Sequence, residues 1–162
     1  RSLLSKERVP PSPLVEAIVQ GLQGKAMPAR VELRNTVGPD LPDLYADPLR
    51  LTQVLQNLVG NAIEASAHGA IVWLRGERIR QGGLPYVRFE IEDEGAGLTA
   101  EEEKQLFDKF WMGGRSQRMR HGLGLVIARL IVEGHRGSIA ARGGREGGTV
   151  VAFTVPVYRP DR

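Results

Sequence analysis

The chain has 162 residues, of which 41% are hydrophobic and 25% are charged. This size and composition are typical of one soluble globular domain. The absence of cysteine excludes disulfides, thiolate metal sites and cysteine nucleophiles. A net charge of +3, from 22 basic and 19 acidic residues, is too small to indicate nucleic-acid binding.

The chain begins with Arg instead of Met, so we expect it to be a fragment of a longer protein. No apolar run approaches the roughly 20 residues of a membrane-spanning helix, and no signal peptide is recognisable. The sequence leaves open whether the parent protein is anchored in a membrane.

The first elements of the chain are a predicted linker, a helix and a strand. Residues 1–11 resemble a linker, because they end in a proline pair that no helix tolerates in its interior. Ser12 is predicted to cap a short helix with Pro13 at its first position. Residues 30–35 alternate like a strand, and residues 37–44 form a turn-rich connector.

The longest predicted helix begins at Asp47 and Pro48, which supply a capping carboxylate and a proline at the first helical position. We expect this helix to extend to about His68 and to end at Gly69. Its apolar stripe follows the i, i+3, i+4, i+7 pattern and consists of Leu51, Val54, Leu55, Leu58 and Ala62.

The remainder of the chain is predicted to hold two strand pairs and two helices. The strands span residues 70–80 and 85–93, then 137–142 and 148–155, and the helices span residues 99–106 and 122–134. Because strands and helices are interspersed, the sequence predicts an α+β two-layer sandwich. We expect a mixed, mostly antiparallel sheet of about five strands with three main helices on one face.

Charge is unevenly distributed in this half. Residues 90–108 contain eight acidic residues and one lysine, whereas residues 109–132 contain five basic residues and no acid. Such a run is either a solvated surface or, for the basic half, a surface that faces an anion.

Two asparagines of the long helix are the first candidate site residues. Asn57 and Asn61 are four residues apart and therefore share one side of the helix. Glu64 and His68 continue this polar ridge at the boundary of the apolar stripe. The ridge is either the edge of a pocket or a set of solvent-facing side chains.

The segment from Asp93 to Gly97 is the second candidate, since it follows a predicted strand. Gly95 and Gly97 permit positive φ and the close approach of a ligand to the backbone. The Asp93 carboxylate can accept a hydrogen bond from an exocyclic amine. Alone, an acidic, glycine-rich strand end is usually only a turn.

Three further segments are weak signals by themselves. Residues 122–125 read Gly-Leu-Gly-Leu at a predicted helix start, where free N–H groups and the helix dipole favour an anion. Phe107 and Phe110 are spaced three apart and are equally compatible with core positions. Residues 147–149 read Gly-Gly-Thr before the last strand.

In order, these segments form a specific pattern. Asn-x-x-x-Asn-Ala, Asp-x-Gly-x-Gly, Phe-x-x-Phe, Gly-Leu-Gly-Leu and Gly-Gly-Thr resemble the N, G1, F, G2 and G3 boxes of the catalytic and ATP-binding domain of sensor histidine kinases. The wider family includes gyrase, MutL and a heat-shock chaperone. The resemblance covers about residues 11–156, and residues 46–55 also look like the histidine-kinase version. It implies a Bergerat-type fold that binds ATP.

The resemblance also implies residue roles. Asp93 would accept the adenine amino group, Gly95 and Gly97 would lie beside the base, and Thr149 would lie under it. Asn61 would hold Mg²⁺ through its amide oxygen, because Mg²⁺ prefers oxygen ligands. Asn57 would support the phosphates or the metal.

The remaining implied roles concern the phosphates and a lid. Residues 98–121 would form a mobile lid over ATP, anchored by Phe107 and Phe110. No residue is assigned as a catalytic acid, base or nucleophile. The residues implied to bind ATP at the glycine-rich helix start, or just before it, are Arg120, His121, Gly122, Leu123, Gly124 and Leu125.

One position favours a kinase over a hydrolase. Hydrolytic members of the family have a Glu at the position of Asn57, where it activates water as a general base. An amide cannot take up a proton. Phosphoryl transfer depends mainly on positioning and electrostatics, so a kinase does not need this base.

The sequence departs from the family pattern at two places. Arg120 stands where many members have the first glycine of the G2 box, which predicts a different lid closure or a direct contact with phosphate. Many members have Lys or Arg three residues after the second asparagine, but here that residue is Glu64, followed by Ala65 in place of a common Tyr. Glu64 would repel phosphates unless it points away or acts through the metal.

The family's phosphoacceptor histidine is not recognisable in this chain. It lies in an upstream helical hairpin and is followed by an acid, whereas His68, His121 and His135 are followed by Gly, Gly and Arg. We therefore expect residues 1–11 to be a linker from that hairpin, residues 12–156 to form the ATP-binding domain and residues 157–162 to be a tail.

The expected partners follow from this organisation. They are the phosphoacceptor hairpin of the parent protein and the receiver domain of a response regulator, and we expect no nucleic-acid partner. The full-length protein would be a homodimer, the isolated domain a monomer, and the domain cytoplasmic.

Two alternatives remain from the sequence. One is a Ser/Thr kinase of the anti-sigma-factor type, which shares these boxes. The other is a degenerate interaction module that kept the fold and lost the nucleotide; the intact Asn61, Asp93 and Gly124 argue against it.

Overall fold

The computed structural model describes residues 3–95, 97, 99–105, 122–144 and 147–160. The helices in this part of the chain are α1 (Pro11–Gly21), α2 (Gln23–Ala26), α3 (Pro48–Ala65), α4 (Ala100–Gln105) and α5 (Gly122–Gly134). The strands are β1 (Glu7–Val9), β2 (Glu32–Asn35), β3 (Leu44–Ala46), β4 (Ile71–Gln81), β5 (Leu84–Glu92), β6 (Ile139–Gly143) and β7 (Thr149–Pro156).

The main sheet has five strands in the order β2-β4-β5-β7-β6. β2 and β4 are parallel, and the other three neighbouring pairs are antiparallel. The helices α1, α3 and α5 pack with this sheet around one core. The predicted α+β sandwich with a mixed, mostly antiparallel sheet is therefore confirmed.

The core lies between the helices and one face of the sheet. The apolar stripe of α3 is buried there, with Leu51 at 2%, Val54 at 0% and Leu55 at 1% exposure. The rings of Phe89 and Phe153 lie opposite each other on β5 and β7 and stack at 5.3 Å between centroids. Full burial of one such side chain contributes about 1.5–3 kcal/mol, which makes this layer the main source of stability.

The other face of the sheet carries a network of ion pairs. The Glu90 carboxylate on β5 lies 3.4 Å from Arg75 and 3.5 Å from Arg142, which belong to β4 and β6. Arg75 also lies 2.5 Å from Glu92. Alternate residues of these strands therefore face the helices or solvent, as expected for a two-layer fold.

Helix α3 begins where the sequence predicts and ends earlier. The Asp47 side chain caps it by accepting hydrogen bonds from Leu49 N at 3.1 Å and Arg50 N at 3.2 Å. Its end at Ala65, instead of about His68, follows from Ser66, whose backbone is extended at φ −91° and ψ 145°. The chain must turn there because Gly69 N donates to Arg30 O at 2.7 Å on its way into β4.

The N-terminal segment is the main difference from the sequence analysis. Residues 7–9, assigned to the linker, form β1 and pair with β3, which begins at the last residue of the predicted connector and ends just before Asp47. The predicted Ser12 cap is wrong, because α1 begins at Pro11 and its N-cap is Pro10, without a side-chain cap. Three-residue strands give no periodic signal, and their pairing joins segments far apart in the sequence.

The start of the predicted C-terminal tail is packed. Val157 is 9% exposed and bridges to Leu44. The next residue, Tyr158, donates its backbone N–H to Asp43 O at 2.9 Å. These contacts hold residues 157–158 against β3.

Candidate functional site

The candidate site lies where β5 ends, β7 begins and α3 ends. Asp93, directly after β5, donates its backbone N–H to Thr149 O at 2.9 Å. Its Oδ1 accepts hydrogen bonds from Thr149 N at 3.2 Å and Gly95 N at 2.9 Å. Asp93 is 3% exposed and Thr149 is 0% exposed. The sheet and the turn after it therefore fix this carboxylate in one orientation.

Glycines are required at this junction because backbone segments lie in contact. A Cβ on Gly95 would lie 2.4 Å from the carbonyl oxygen of Ala65, at the end of α3. Gly97 has φ +82°, and its Cβ would lie 2.3 Å from Gly147 O. Side chains are excluded at both positions by the protein's own backbone. The Asp93 turn is thereby held against both α3 and the residues before β7.

The two asparagines of α3 lie close to this junction but differ in burial. Asn61 is 9% exposed, one helical turn before Ala65, and so lies roughly 6 Å along the helix axis from the Gly95 contact. Its Nδ2 is buried and has no hydrogen-bond partner within the described part of the chain. Asn57, one turn earlier, is half-buried. A buried polar atom that stays without a partner costs about 1–3 kcal/mol, so this atom is a candidate contact for a ligand or a water.

Two carboxylates near the asparagines are held by protein groups. Glu64 forms an ion pair with Lys25 of α2. Glu94 Oε1 accepts a hydrogen bond from Ile71 N, the first residue of β4, at 2.9 Å. Lys25 is not predicted from the sequence, and no local pattern marks it, because 39 residues separate it from Glu64.

Helix α5 brings the predicted Gly-Leu-Gly-Leu segment to the same region. It begins at Gly122, as predicted, and packs against α3. The end of α5 meets the start of α3, where Asp47 N donates to His135 Nε2 at 3.0 Å, so the two helices run antiparallel. Counting back thirteen residues from His135 puts Gly122 beside roughly residue 60 of α3. The first turn of α5 therefore lies near the asparagine turn.

The residues predicted to bind ATP around the start of α5 differ in where the structure places them and in whether it describes them. Gly122, Leu123 and Gly124 belong to the first turn of α5. Leu125 is 2% exposed in the core, so only its backbone is available to a ligand. Phe107, Phe110, Arg120 and His121 lie outside the described residues.

The polar side chains of the site can bind a hard cation only together with ligand atoms from a bound molecule. Among the described residues, no group of three His, Asp or Glu side chains could hold a metal. A 180° rotation of the Asn61 amide exchanges its oxygen and Nδ2. The amide oxygen then occupies the place of Nδ2 and can act as a metal ligand. Mg²⁺ commonly binds through one or two protein oxygens together with substrate phosphates. The residues present fit such a shared metal.

A buried polar cluster at the opposite end of the helices joins α3, α5 and the N-terminal segment. His135 is 2% exposed, and its two ring nitrogens contact Asp47 N at 3.0 Å and Ile131 O at 2.8 Å. Burial lowers the pKa of His135, with a further lowering from Lys6, against the raising effects of Ile131 O and Asp47. His135 is therefore a neutral structural residue.

Asp47 is the other titratable member of this cluster. Burial alone would raise the pKa of Asp47, but hydrogen bonds from the backbone N–H groups of Ser5, Arg50 and Leu49 outweigh it, so the pKa lies below the usual value. Ser5 N donates to Asp47 Oδ2 at 3.0 Å. The charged carboxylate thus holds both the start of α3 and the segment before β1.

Comparison with known proteins agrees with this geometry. Residues 46–159 match the sequence model of the family described as histidine kinase-, DNA gyrase B-, and HSP90-like ATPase. The sensory/regulatory protein RpfC of Xanthomonas campestris pv. campestris is 37% identical over 142 residues, which cover 84% of this chain and 19% of RpfC. The adaptive-response sensory kinase SasA of Synechococcus elongatus is 33% identical over 149 residues, covering 91% of this chain and 38% of SasA.

Solved structures give the same result. Full-length ShkA in complex with AMPPNP superposes with a TM-score of 0.80 at 27% identity, covering 95% of this chain and 31% of ShkA. The catalytic domain of the histidine kinase ThkA has a TM-score of 0.80 at 26% identity, covering 95% of this chain and 97% of that domain.

The chain spans less than two fifths of these two curated relatives, at 19% and 38% of their lengths. Among the helices in the described ranges, none is long and apolar enough to cross a membrane. The match over residues 46–159, the shared fold and the sensor-kinase relatives lead to one assignment. The chain belongs to the histidine kinase-, DNA gyrase B-, and HSP90-like ATPase family, as an ATP-binding catalytic domain of the sensor histidine kinase type.

Proposed function

We propose that this domain binds Mg-ATP at the junction of α3, β5 and β7 and transfers the γ-phosphoryl group to a histidine on a separate helical hairpin. The observation that carries the proposal is the buried Nδ2 of Asn61, which has no hydrogen-bond partner among the described residues and lies one helical turn from the contact between α3 and the Asp93 turn. The Asn61 amide can bind a polar ligand, and the Asp93 carboxylate is oriented to accept a hydrogen bond from an amine. An adenine nucleotide with a bound metal supplies both.

The proposed residue roles are those that the family resemblance implies. Asp93 accepts the adenine amino group, and Gly95, Gly97 and Thr149 surround the base. Asn57 and Asn61 face the phosphates, with the Asn61 oxygen toward Mg²⁺. When bound, Mg²⁺ neutralises phosphate charge and orients the group that is transferred.

The start of α5 supplies the remaining proposed phosphate contacts. Its first turn contains Gly122, Leu123 and Gly124, and a helix N-terminus favours anions through its free N–H groups and dipole. Residues 98–121 are proposed as the lid, with Phe107 and Phe110 as anchors and Arg120 and His121 next to the phosphates.

The carboxylates described at this end favour a kinase over a hydrolase. Asp93 is held by two backbone N–H groups, Glu94 by Ile71 N, and Glu64 by Lys25. Position 57, which is a carboxylate in hydrolytic relatives, is an amide that cannot act as a base. Transfer to a histidine requires that a nitrogen–phosphorus bond forms as the bond from the γ-phosphorus to the β,γ-bridging oxygen breaks, with ADP leaving.

The acceptor is proposed to lie outside this chain. His135 is buried, and both of its ring nitrogens contact backbone groups. His68 lies in an exposed turn after α3, not on a helix. We propose that residues 1–11 lead from the hairpin carrying the acceptor, even though residues 7–9 pack onto the domain as β1. The hairpin would dimerise and pass phosphate to a receiver aspartate.

Calorimetry and phosphate transfer test the proposal. The isolated chain should bind Mg-ATP in a calorimetric titration and should not label itself with γ-³²P-ATP. Addition of the parent protein's helical hairpin should give acid-labile, base-stable label on the hairpin, as a phosphoramidate requires. Transfer in trans should be slow, because separation removes an effective concentration on the order of millimolar.

Each alternative has its own outcome. Stable label on the isolated chain would place the acceptor within these residues. Acid-stable label on a protein substrate would indicate a Ser/Thr kinase. Absence of Mg-ATP binding would favour an interaction module that has lost the nucleotide.

A further inference from the structure

The ion pair between Glu64 and Lys25 lies on the asparagine ridge of α3. Glu64 follows Asn61 by three residues and Asn57 by seven, so it shares their side of the helix. Its carboxylate pairs with the ammonium of Lys25, and the two side chains are 32% and 42% exposed. The charge of Glu64 is therefore neutralised at the edge of the site.

The ammonium of Lys25 lies alongside the turn that carries both asparagines. Its Nζ is 3.6 Å from the position that a Cβ of Gly60 would occupy, and Gly60 lies between Asn57 and Asn61 in sequence. The absence of a side chain on Gly60 leaves this position open to the lysine. Lys25, which precedes Gly60 by 35 positions, thus brings positive charge to the ridge.

The backbone of Lys25 is fixed, so its side chain can extend only from this position. Its N–H donates to Leu22 O at 3.0 Å, and the next residue, Ala26, is 0% exposed. Ala26 O also accepts from Val31 N at 3.0 Å, which ties α2 to the chain entering β2. Only the flexible four-carbon stem of the lysine can move, between Glu64 and the adjacent space.

We infer that Lys25 is a phosphate-binding residue of the ATP site and that its ammonium offsets the charge of the Glu64 carboxylate; this inference rests on the proposed function. A lysine ammonium has three N–H donors and no acceptor. It can keep one bond to Glu64 and donate another to a phosphate oxygen. Without Lys25, the Glu64 carboxylate would face the negative triphosphate on the same ridge and repel it.

Paired variants separate this role from a purely structural tether between α2 and α3. Lys25→Met removes the charge, and Lys25→Arg keeps it. Lys25→Met combined with Glu64→Lys moves the ammonium onto α3 itself. Glu64→Gln removes the carboxylate and leaves Lys25 in place. Arg34→Met is the matched control, because Arg34 forms an exposed pair with Glu32 on β2, at 2.8 Å.

Calorimetry measures the affinity of each variant for Mg-ATP and for adenosine, and thermal unfolding measures its stability. Lys25→Met should weaken the binding of Mg-ATP about 10-fold and leave the binding of adenosine unchanged. This loss is at the low end for a charge-assisted hydrogen bond, because the pair is partly exposed. Lys25→Arg, Glu64→Gln and Arg34→Met should bind Mg-ATP within about 3-fold of the natural chain. The double variant should recover most of the loss.

Several results would overturn the inference. Unchanged Mg-ATP affinity in Lys25→Met, or an equal loss for adenosine and Mg-ATP, would leave only a structural tether. A loss of Mg²⁺-dependent affinity in Glu64→Gln would make Glu64 a metal ligand instead. Failure of the natural chain to bind either ligand would refute the proposed function itself, whereas normal binding with an unaffected Lys25→Met refutes only the role of Lys25.

Discussion

Replacement of Asp93 separates its two roles, which are to hold the protein backbone and, in the proposed function, to bind adenine. Its Oδ1 accepts hydrogen bonds from the backbone N–H groups of Gly95 and Thr149 at 2.9 and 3.2 Å. In Asp93→Asn the amide oxygen can keep both bonds, but the amide nitrogen is a donor and opposes the adenine amino group. In Asp93→Ala both bonds are lost.

These contacts set the expected magnitudes. A hydrogen bond to a charged group contributes about 1.5–3 kcal/mol, so Asp93→Asn should weaken Mg-ATP binding roughly 10- to 100-fold. Leaving two N–H groups without an acceptor costs about 1–3 kcal/mol each, so Asp93→Ala should lower the free energy of unfolding by about 2–6 kcal/mol. In a domain of this size that lowers Tm by roughly 4–24 °C.

Calorimetric titration and thermal unfolding of the same two preparations check both effects. Asp93→Asn should lose affinity for adenosine as well as for Mg-ATP, because the lost contact is to the base. It should also lose less stability than Asp93→Ala. An unchanged dissociation constant in Asp93→Asn would refute the adenine assignment. Equal destabilisation by the two substitutions would show that the amide oxygen does not replace the carboxylate at Gly95 and Thr149.

Three further substitutions test other parts of the structure. Asn61→Ala should remove the Mg²⁺ dependence of ATP binding and spare adenosine, since its Nδ2 has no partner to lose among the described residues; equal losses for both ligands in titrations would make the side chain structural. Gly95→Ala should cost about 1–3 kcal/mol in urea unfolding, because its Cβ would lie 2.4 Å from Ala65 O. The control Gly21→Ala meets nothing within 4 Å and should change stability by less than about 1 kcal/mol; similar costs at the two sites would contradict the packing argument. Burial lowers the pKa of His135, so the unfolded chain binds more protons, and the free energy of unfolding should fall as pH decreases below about 6.5. His135→Gln should reduce this dependence in unfolding titrations from pH 7.5 to 5.5, and an unchanged slope would contradict it.

Local patterns predicted the elements that local chemistry specifies. The start of α3 follows from a capping Asp47 and a proline at N1, and the structure shows the cap hydrogen bonds. The apolar period over residues 122–134 predicts the bounds of α5, and the hairpin of β4 and β5 follows from alternation around a glycine-containing loop. In each case neighbouring residues supply both the signal and the interaction, so the sequence is sufficient.

The sequence also predicted the family through the order of five short motifs, because that order does not depend on tertiary contacts. The tertiary structure decided how those motifs meet. The Asp93 carboxylate is oriented by Thr149 N, 56 residues away, and the neutral His135 bonds Asp47 N, 88 residues away. No periodicity in the intervening chain encodes such pairs.

The same distinction explains what the sequence missed. β1 and β3 are three residues each, too short for a recognisable alternation, and each is stabilised by pairing with the other. Glu64 read alone predicts repulsion of phosphate, yet folding brings Lys25 of α2 against it. The sequence by itself determined the elements, the fold class and the family, since these depend on local propensity and motif order. Only the tertiary structure decided which charges are neutralised and which polar atoms are buried, because burial and ion pairing depend on chain segments that meet only in the folded state.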